Sequence, residues 1–302
     1  MILFSHKCGQ LGNRLFTFAH LIANAAENNV TVCNLSFDEY APHFEKTRLD
    51  LICRYPARRT FVTSRRLRSM LFLLNKAVLK ACRMSGFFSS LFHSIVIADL
   101  PEFKFGEGRY FELRSQGFED IIKKKPMVFL FGRFFRDHVN FEKHQELLRS
   151  FFRPTTEIET NVFKFLLQAR SNGDLIIGVH MRLGDYREYA GGKYFFTQEN
   201  YFKKMEGLRD TVPQKKIVFV ICSNEKIQLR DFKGLNVFAA SGHIAEDMYT
   251  LAGCDLIMGP PSTYSAWASF YGNKPIYRLE NIDRTISLTD FQILPLHLHY
   301  NI

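Results

Sequence analysis

The sequence predicts an α/β fold built from two domains, and three observations lead to this prediction. The chain has 302 residues, which is more than one hydrophobic core usually organises. Hydrophobic residues make up 46% and charged residues 23% of the chain, as in a packed globular protein. In the second half, apolar segments alternate with segments of helical periodicity, which is typical of a parallel sheet covered by helices on both faces.

The first half opens with a predicted β-turn-α-β unit. An apolar run at 2–5 is followed by a glycine-bearing turn at 8–13. Residues 11–26 then carry apolar side chains at helical spacing. A second apolar run at 30–35 completes the unit, which implies parallel strands with space for a ligand at their carboxyl ends.

A basic amphipathic segment follows at 65–93. Its cations alternate with apolar side chains and are Arg65, Arg66, Arg68, Lys76, Lys80 and Arg83. A helix of this composition could lie on an anionic membrane surface, but a surface helix packed on its own domain is the favoured interpretation. The sequence leaves both interpretations open. A predicted strand at 127–131 and a helical stretch at 139–152 complete the first half.

The predicted domain boundary lies at Pro154, so the domains span 1–153 and 154–302. A helical stretch from 155 to 170 follows it. Beyond it the sequence predicts strands at 175–181, 217–222, 237–240, 255–258 and 275–278, and helices at 197–208, 244–252 and 264–271. This alternation predicts a doubly wound domain.

Polar clusters follow three of these strands, where such a sheet collects its functional groups. His180, Arg182 and Asp185 follow the first strand. The planar guanidinium of Arg182 matches two phosphate oxygens and can stabilise the charge that develops on a departing diphosphate. The alternative is that Arg182 only forms a structural ion pair with Asp185.

The other two clusters offer hydrogen-bonding groups. Ser223 and Asn224 suit recognition of a sugar or a base, or they belong to an ordinary turn. Ser262 and Thr263 precede a predicted helix, where hydroxyl and backbone N–H groups can bind an anion. Serine and threonine are also the favoured N-caps of helices.

Several function classes are disfavoured. The stretch from Gly9 to Gly12 is neither a Walker loop nor a complete dinucleotide fingerprint. The six cysteines lie far apart without a C-x-x-C pair, and the histidines are scattered, so no zinc or disulfide framework and no catalytic metal are expected.

The net charge of +10 attracts anions, but no RNA-recognition signature is present, so nucleic acid is not expected as a partner. Because the N-terminal apolar run is too short for a signal peptide, the expected location is the cytoplasm.

Three segments together carry a resemblance to a known family. Residues 9–16, Gly-Gln-Leu-Gly-Asn-Arg-Leu-Phe, are similar to the pattern G-G-L-G-N-Q-M-F, and residues 180–186, His-Met-Arg-Leu-Gly-Asp-Tyr, are similar to H-x-R-R-x-D-Y. The stretch from 247 to 267 is similar to D-x-x-x-M/L followed by N-S-S-F-S-W-W. In this order the segments resemble the α-1,2-fucosyltransferases, within the wider group that includes the α-1,6- and protein O-fucosyltransferases.

The resemblance implies a GT-B-like architecture, in which two Rossmann-like domains face each other across a cleft and the second holds most of the donor. It implies inverting, metal-independent transfer of fucose from GDP-fucose to a glycan hydroxyl. By position in the family's motifs, Arg182 would bind the pyrophosphate, and His180 and Asp185 would shape its loop. Ser262 and Thr263 would contact phosphate or fucose, and Asp247 would contact guanine. Gly9, Gly12 and Asn13 of the first domain would line the cleft.

The chain departs from the family pattern at Leu183, Gly259, Pro260, Pro261 and Ala266. Another nucleotide sugar or a catalytically impaired relative therefore stays open. The base that deprotonates the acceptor is Asp185 or Glu188, and the sequence does not choose between them. The alternative from another class is a non-catalytic basic protein that binds a membrane or a polyanion through 65–93.

Overall fold

The computed structural model describes the backbone of residues 1–85, 92–96 and 110–295, and the side chains of 1–80 and 110–295. The chain divides into two compact units, Met1–Thr155 and Thr156–Ile302. Both are α/β units built on a sheet of mainly or wholly parallel strands. No helix in the described part of the chain is long and apolar enough to cross a membrane.

The first unit has a five-stranded main sheet. In chain order, the unit contains β1 (Ile2–Phe4), α1 (Leu11–Asn28), β2 (Val32–Asn34), β3 (Arg54–Tyr55), α2 (Arg65–Ser85), β4 (Phe92–Val96), β5 (Phe111–Glu112), α3 (Gln116–Lys124), β6 (Met127–Phe131), β7 (Phe135–Arg136), α4 (His138–Lys143) and α5 (Gln145–Phe151). The strand order of the main sheet is β3-β2-β1-β6-β4. All its neighbouring strands are parallel except β3, which is antiparallel to β2. Because β2 and β6 flank β1, the strand order reverses at β1, the position where such sheets bind ligands.

The turn before α1 depends on a glycine. Gly9 has a φ of +61°, and a Cβ there would lie 2.2 Å from Asn13 Nδ2, so only glycine fits this backbone without strain. The helix ends at Asn29, whose left-handed conformation closes the last turn. The helix predicted from the apolar spacing over 11–26 is confirmed.

The second unit has a wholly parallel sheet. It contains α6 (Thr156–Arg170), β8 (Leu175–Met181), α7 (Gln198–Asp210), β9 (Ile217–Ser223), β10 (Val237–Ala239), α8 (Ile244–Gly253), β11 (Leu256–Gly259), α9 (Thr263–Gly272) and β12 (Ile276–Arg278). The strand order is β10-β9-β8-β11-β12. This is the order of a Rossmann-like sheet, and it reverses between β8 and β11. Every strand and helix predicted for this unit is present, with bounds that agree to within two residues.

Three predictions for the first unit were incomplete or wrong. The helical stretch at 139–152 is two helices, α4 and α5, because His144 between them has a non-helical backbone. The basic segment at 65–93 is helical from Arg65 to Ser85, 86–91 lie outside the described residues, and Phe92 begins strand β4, which the sequence did not predict. The two-residue strands β3, β5 and β7 were missed, because so short a strand leaves no periodicity to detect.

Arg68 does not belong to the exposed cations of the basic helix. Its side chain is buried, and its Nη2 donates hydrogen bonds to the carbonyl oxygens of Thr47 at 3.1 Å and Arg48 at 2.7 Å. Its Nε donates to the carbonyl oxygen of Asp50 at 3.3 Å. Arg68 therefore fastens α2 to its own unit, as expected of a buried charge that is satisfied by acceptors.

Candidate functional site

The candidate site lies where the strand order of the second unit reverses, at the carboxyl ends of β8 and β11. These strand ends touch: a Cβ on Gly259 would lie 2.8 Å from both the Cβ and the carbonyl oxygen of His180. A side chain at position 259, where the family pattern has an asparagine, therefore does not fit this backbone. The close approach brings the loops that begin at Arg182 and Pro260 to one edge of the sheet.

Arg182 follows β8 and is largely buried. Its Nη2 donates a hydrogen bond to Asp185 Oδ2 at 2.8 Å. Its Nε lies 2.8 Å from Asp185 Oδ1, but the N–H is not aligned with that oxygen, and Nε has no hydrogen-bond partner. The ion pair that the sequence offered as a structural alternative is thus present. It uses one of five donors of the guanidinium, so Arg182 retains capacity for an anion.

Asn224 fixes the loop that carries Arg182. Its Oδ1 accepts a hydrogen bond from the backbone N–H of Leu183 at 2.9 Å, and its Nδ2 lies 3.5 Å from Asp185 Oδ1. Leu183 is buried in the core, where the family pattern has a second arginine. Ser223 Oγ accepts a hydrogen bond from the backbone N–H of Glu225 at 3.2 Å. Both predicted polar residues after β9 therefore contribute to loop structure.

Tyr186 joins the loops that follow β8 and β11, and sequence reasoning gave it no role. Its hydroxyl donates to the carbonyl oxygen of Pro261 at 2.7 Å, and its ring stacks on Tyr189 with centroids 5.0 Å apart. Burial raises the pKa of Tyr186 to about 12, so the hydroxyl stays protonated and keeps donating. The guanidinium carbon of Arg182 lies 5.8 Å from the ring centre. The sequence contains no pattern that would predict the contact between Tyr186 and Pro261, because the two residues are 75 positions apart.

Ser262 and Thr263 form the start of α9. Ser262 is the N-cap, and its Oγ accepts a hydrogen bond from the backbone N–H of Tyr264 at 3.2 Å. Thr263 is the first helical residue, and both residues are half-buried. The capping role that the sequence offered as an alternative is present. The start of a helix also carries a partial positive charge and unpaired N–H groups, which suit an anion.

His180 is a neutral packing group. It is buried at the end of β8, with its ring centre 5.0 Å from that of Tyr264. Burial, with a smaller effect from the charge of Arg182, lowers the pKa of His180 to about 3. The imidazole therefore carries no charge at neutral pH, and Arg182 provides the positive charge at this strand end.

Asp247 is a buried carboxyl group in the first turn of α8, beyond the end of β10. Its Oδ1 accepts hydrogen bonds from Ser241 Oγ at 3.2 Å and from the backbone N–H of Gly242 at 3.1 Å. Burial raises the pKa of Asp247 to about 6. Strands β10 and β8 are two positions apart in the sheet, which separates their ends by about 10 Å.

Of the two candidate bases, Asp185 is committed to Arg182, whereas Glu188 is exposed. The Glu188 carboxylate makes no hydrogen bond or ion pair with any residue whose side chain the structure describes. Among the described residues, no group of three or more His, Cys, Asp or Glu side chains is placed to hold a metal ion.

Gly9, Gly12 and Asn13 lie in the first unit, at the carboxyl end of β1. Gly9 and Asn13 are exposed, while Gly12 is buried in the first turn of α1. Lys7, which sequence reasoning did not single out, lies at the same edge and forms ion pairs with Asp38 at 2.8 Å and with Glu39. The first unit thus has its own polar cluster at the point where its strand order reverses.

Comparison with solved structures identifies the class of this fold. A search of the solved structures finds Arabidopsis thaliana FUT1 mutant R284K in complex with GDP at a TM-score of 0.58 and 13% identity, covering 96% of this chain and 73% of that one. POFUT1 in complex with GDP-fucose follows at 0.55 and 11%, covering 90% and 94%. The fucosyltransferase NodZ from Bradyrhizobium is found at 0.56 and 15%, covering 93% and 95%. The predicted GT-B-like fold of two Rossmann-like units is confirmed.

The family follows from the sequence itself. Residues 95–284 match the model of Glycosyl transferase family 11. Because the match covers more than half of the chain, the protein belongs to this family and is a glycosyltransferase. A search of curated proteins finds no match. The predicted resemblance to fucosyltransferases is confirmed, and the alternative of a non-catalytic basic protein is wrong.

Proposed function

We propose that the protein transfers fucose from GDP-fucose to a hydroxyl group of a glycan, with inversion at the fucose carbon and without a metal ion. The observation that carries the proposal is Arg182, a largely buried arginine with unused donors at the point where the strand order reverses. The solved structures of FUT1 with GDP and of POFUT1 with GDP-fucose support this choice of donor.

In this proposal the second unit, predicted as residues 154–302, binds the donor. Arg182 and the start of α9 at Ser262 and Thr263 hold the diphosphate, because a guanidinium and a helix start both favour negative charge. Asp185 keeps the guanidinium in place. As the bond between fucose and GDP breaks, charge grows on the diphosphate, and these fixed groups stabilise it without reorganising.

Asp247 takes the guanine. A carboxylate can accept hydrogen bonds from two adjacent N–H groups on a base, and guanine presents such a pair. The spacing of about 10 Å between the ends of β10 and β8 suits a nucleotide whose base and diphosphate are held at different strand ends. His180, Ser223 and Asn224 support the loops around the donor.

Inversion requires the acceptor oxygen to attack the fucose carbon from the face opposite the departing GDP. The new C–O bond forms as the C–O bond to GDP breaks, and the acceptor proton passes to a carboxylate. Glu188 is the better candidate of the two, because its carboxylate is uncommitted while that of Asp185 holds Arg182. The charge on the leaving diphosphate is met by Arg182 and the start of α9, so a metal ion has no necessary task.

The first unit, predicted as residues 1–153, takes the acceptor in this proposal, with Gly9, Gly12 and Asn13 contacting it at the carboxyl end of β1. The proposed location is the cytoplasm, in peripheral contact with the inner face of a membrane through the basic helix α2. The acceptor assignment rests on the resemblance, and the membrane contact rests on the basic composition of α2.

A transfer assay tests the proposal. The protein is incubated with GDP-fucose and a panel of oligosaccharides in the presence of EDTA, and GDP release and the anomeric configuration of the product are followed by NMR. We expect EDTA to leave the rate unchanged and the product to have the configuration opposite to that of the donor. Transfer only from a UDP-sugar, loss of activity in EDTA, or retention of configuration would contradict it.

A further inference from the structure

The outward face of α2 carries an apolar stripe bordered by cations. Its members are Met70, Leu73, Leu74 and Val78, which are 54%, 64%, 57% and 45% exposed. We propose that this stripe inserts into the interface of a bilayer of anionic lipid. The inference sharpens the proposed peripheral location, and it does not depend on the identity of the donor.

The orientation of α2 is fixed by its inward face. Arg68, Phe72 and Leu79 are buried, and Ser69 Oγ donates a hydrogen bond to the buried carboxylate of Asp38 at 3.0 Å. Lys7 Nζ lies 4.9 Å from the ring centre of Phe72. Because this face is anchored by packing and hydrogen bonds, the apolar stripe opposite it is exposed in the folded unit.

The spacing of the stripe fits a helix that lies in a membrane interface. Its members follow one another at intervals of three, one and four residues, which places them on one side of the helix. Phe61 and Val62 in the turn before α2 are also exposed. A soluble protein rarely exposes so many large apolar side chains together without a partner, and a bilayer interface would bury them at once.

The charge of the surrounding segment selects anionic lipid. No Asp or Glu occurs between Asp50 and Asp99, whereas nine Lys and Arg residues do. Arg54 is paired with Asp50, and Arg68 is buried. Among the residues whose side chains the structure describes, the exposed cations of this segment are Arg58, Arg59, Arg65, Arg66, Lys76 and Lys80. Nucleic acid would be attracted by these charges but would leave the apolar stripe in water, whereas anionic lipid satisfies both.

Co-sedimentation with vesicles tests the inference. The full chain is mixed with vesicles of equal parts phosphatidylglycerol and phosphatidylcholine, and separately with pure phosphatidylcholine. We expect binding to the mixed vesicles, weakened by salt, and little binding to phosphatidylcholine alone. The double variant Leu73→Glu, Leu74→Glu should bind the mixed vesicles at least tenfold more weakly, since it removes two inserting groups and adds repulsion.

A matched control is available on α6 of the second unit. Phe163 and Leu167 are also exposed large apolar residues, so Phe163→Glu, Leu167→Glu makes the same charge change outside the stripe. This control should bind the mixed vesicles much more strongly than the stripe variant. Equal binding by the two variants, or binding as strong to pure phosphatidylcholine as to mixed vesicles, would overturn the inference.

A second pair of variants covers the case in which the stripe variant does not fold. Lys76→Gln, Lys80→Gln should weaken binding several-fold, whereas Lys123→Gln, Lys124→Gln on α3 should have little effect. Equal effects would also overturn the inference, as would binding to RNA with no binding to vesicles. A GDP-induced thermal shift in the same samples reports on the donor site separately, so the two proposals fail independently.

Discussion

Both sheets reverse their strand order next to their first strand, but the carboxyl edges at these points differ in chemistry. In the first unit, Lys7 is neutralised by Asp38, which is buried, and by Glu39. In the second unit, Arg182 is paired with Asp185, half of whose side chain is exposed, and one of its buried donors has no partner. The charge of Lys7 is neutralised within the fold, whereas the guanidinium of Arg182 is available to a ligand. The strand order thus places polar residues at the carboxyl edge of a sheet. The ion pairs that the cations form there determine whether the edge can bind an anion.

The largest effect is expected at Arg182. Arg182→Ala should lower the transfer rate by roughly ten- to a thousand-fold, the scale of losing one preorganised donor to a developing charge. Arg182→Lys keeps the charge but loses the planar fork, so it should retain some GDP affinity and lose most turnover. Initial rates measure both.

The matched control is Arg187→Ala, which removes an exposed arginine from the same loop. It should change the rate little, and a circular-dichroism melt verifies the fold of each variant. Wild-type rates in folded Arg182→Ala would show that the motif is structural.

Asp247 should make GDP binding depend on pH. Guanine N–H groups need the ionised carboxylate, so affinity should fall as pH drops below about 6, where Asp247 becomes protonated. The sign for stability is opposite: burial raises the pKa of Asp247 from the 3.8 of an ordinary aspartate to about 6, so protonation of Asp247 favours the folded state between these two values.

Asp247→Asn should weaken GDP binding about tenfold at neutral pH and flatten this part of the pH profile. Asp231→Asn, at an exposed aspartate, should do neither. Titration calorimetry across the pH range measures both variants, and an unchanged pH profile in Asp247→Asn would remove the guanine assignment.

Lys7 should behave in the opposite way to Arg182. Lys7→Ala leaves the buried Asp38 without its ionic partner, so it should lower the free energy of unfolding by about 1–3 kcal/mol. Its GDP affinity should stay near that of the wild type. Urea unfolding and GDP titration of the same sample measure this pair of effects. A large loss of GDP affinity with unchanged stability in Lys7→Ala would contradict the proposed difference between the carboxyl edges of the two sheets.

The smallest effect is expected at Tyr186. Tyr186→Phe removes the hydrogen bond between the two loops of the donor site and should cost about 1 kcal/mol of stability, with GDP binding weakened several-fold. Tyr264→Phe removes a similar bond, from the Tyr264 hydroxyl to the carbonyl oxygen of Ile244 at 2.7 Å. Thermal melts and GDP titration compare the two variants. A larger loss of GDP affinity in Tyr264→Phe would count against Tyr186 as the residue that positions the loops.

The sequence predicted the second unit well because its buried strands are continuous apolar runs, such as 175–181 and 217–223. It could not predict contacts between loops. The hydrogen bonds of Tyr186 and Asn224 join residues far apart in the chain, and only the fold brings them together.

The inward orientation of the Arg68 side chain could have been predicted from the sequence. Arg68 lies on the same face of α2 as Phe72 and Leu79, which are both buried. The spacing of these three residues therefore indicates that Arg68 points inward. Its charge masked this signal, because charged residues are seldom buried.

The central claim is that the second unit holds the diphosphate of a GDP donor through Arg182, without a metal. Calorimetric titration of GDP and UDP into the wild type and Arg182→Ala, with EDTA present, tests it most directly. We expect GDP to bind the wild type more tightly than UDP does, to raise its melting temperature by mass action, and to bind Arg182→Ala at least tenfold more weakly. A preference for UDP, a requirement for metal, or equal GDP affinity in the wild type and a folded Arg182→Ala would contradict it.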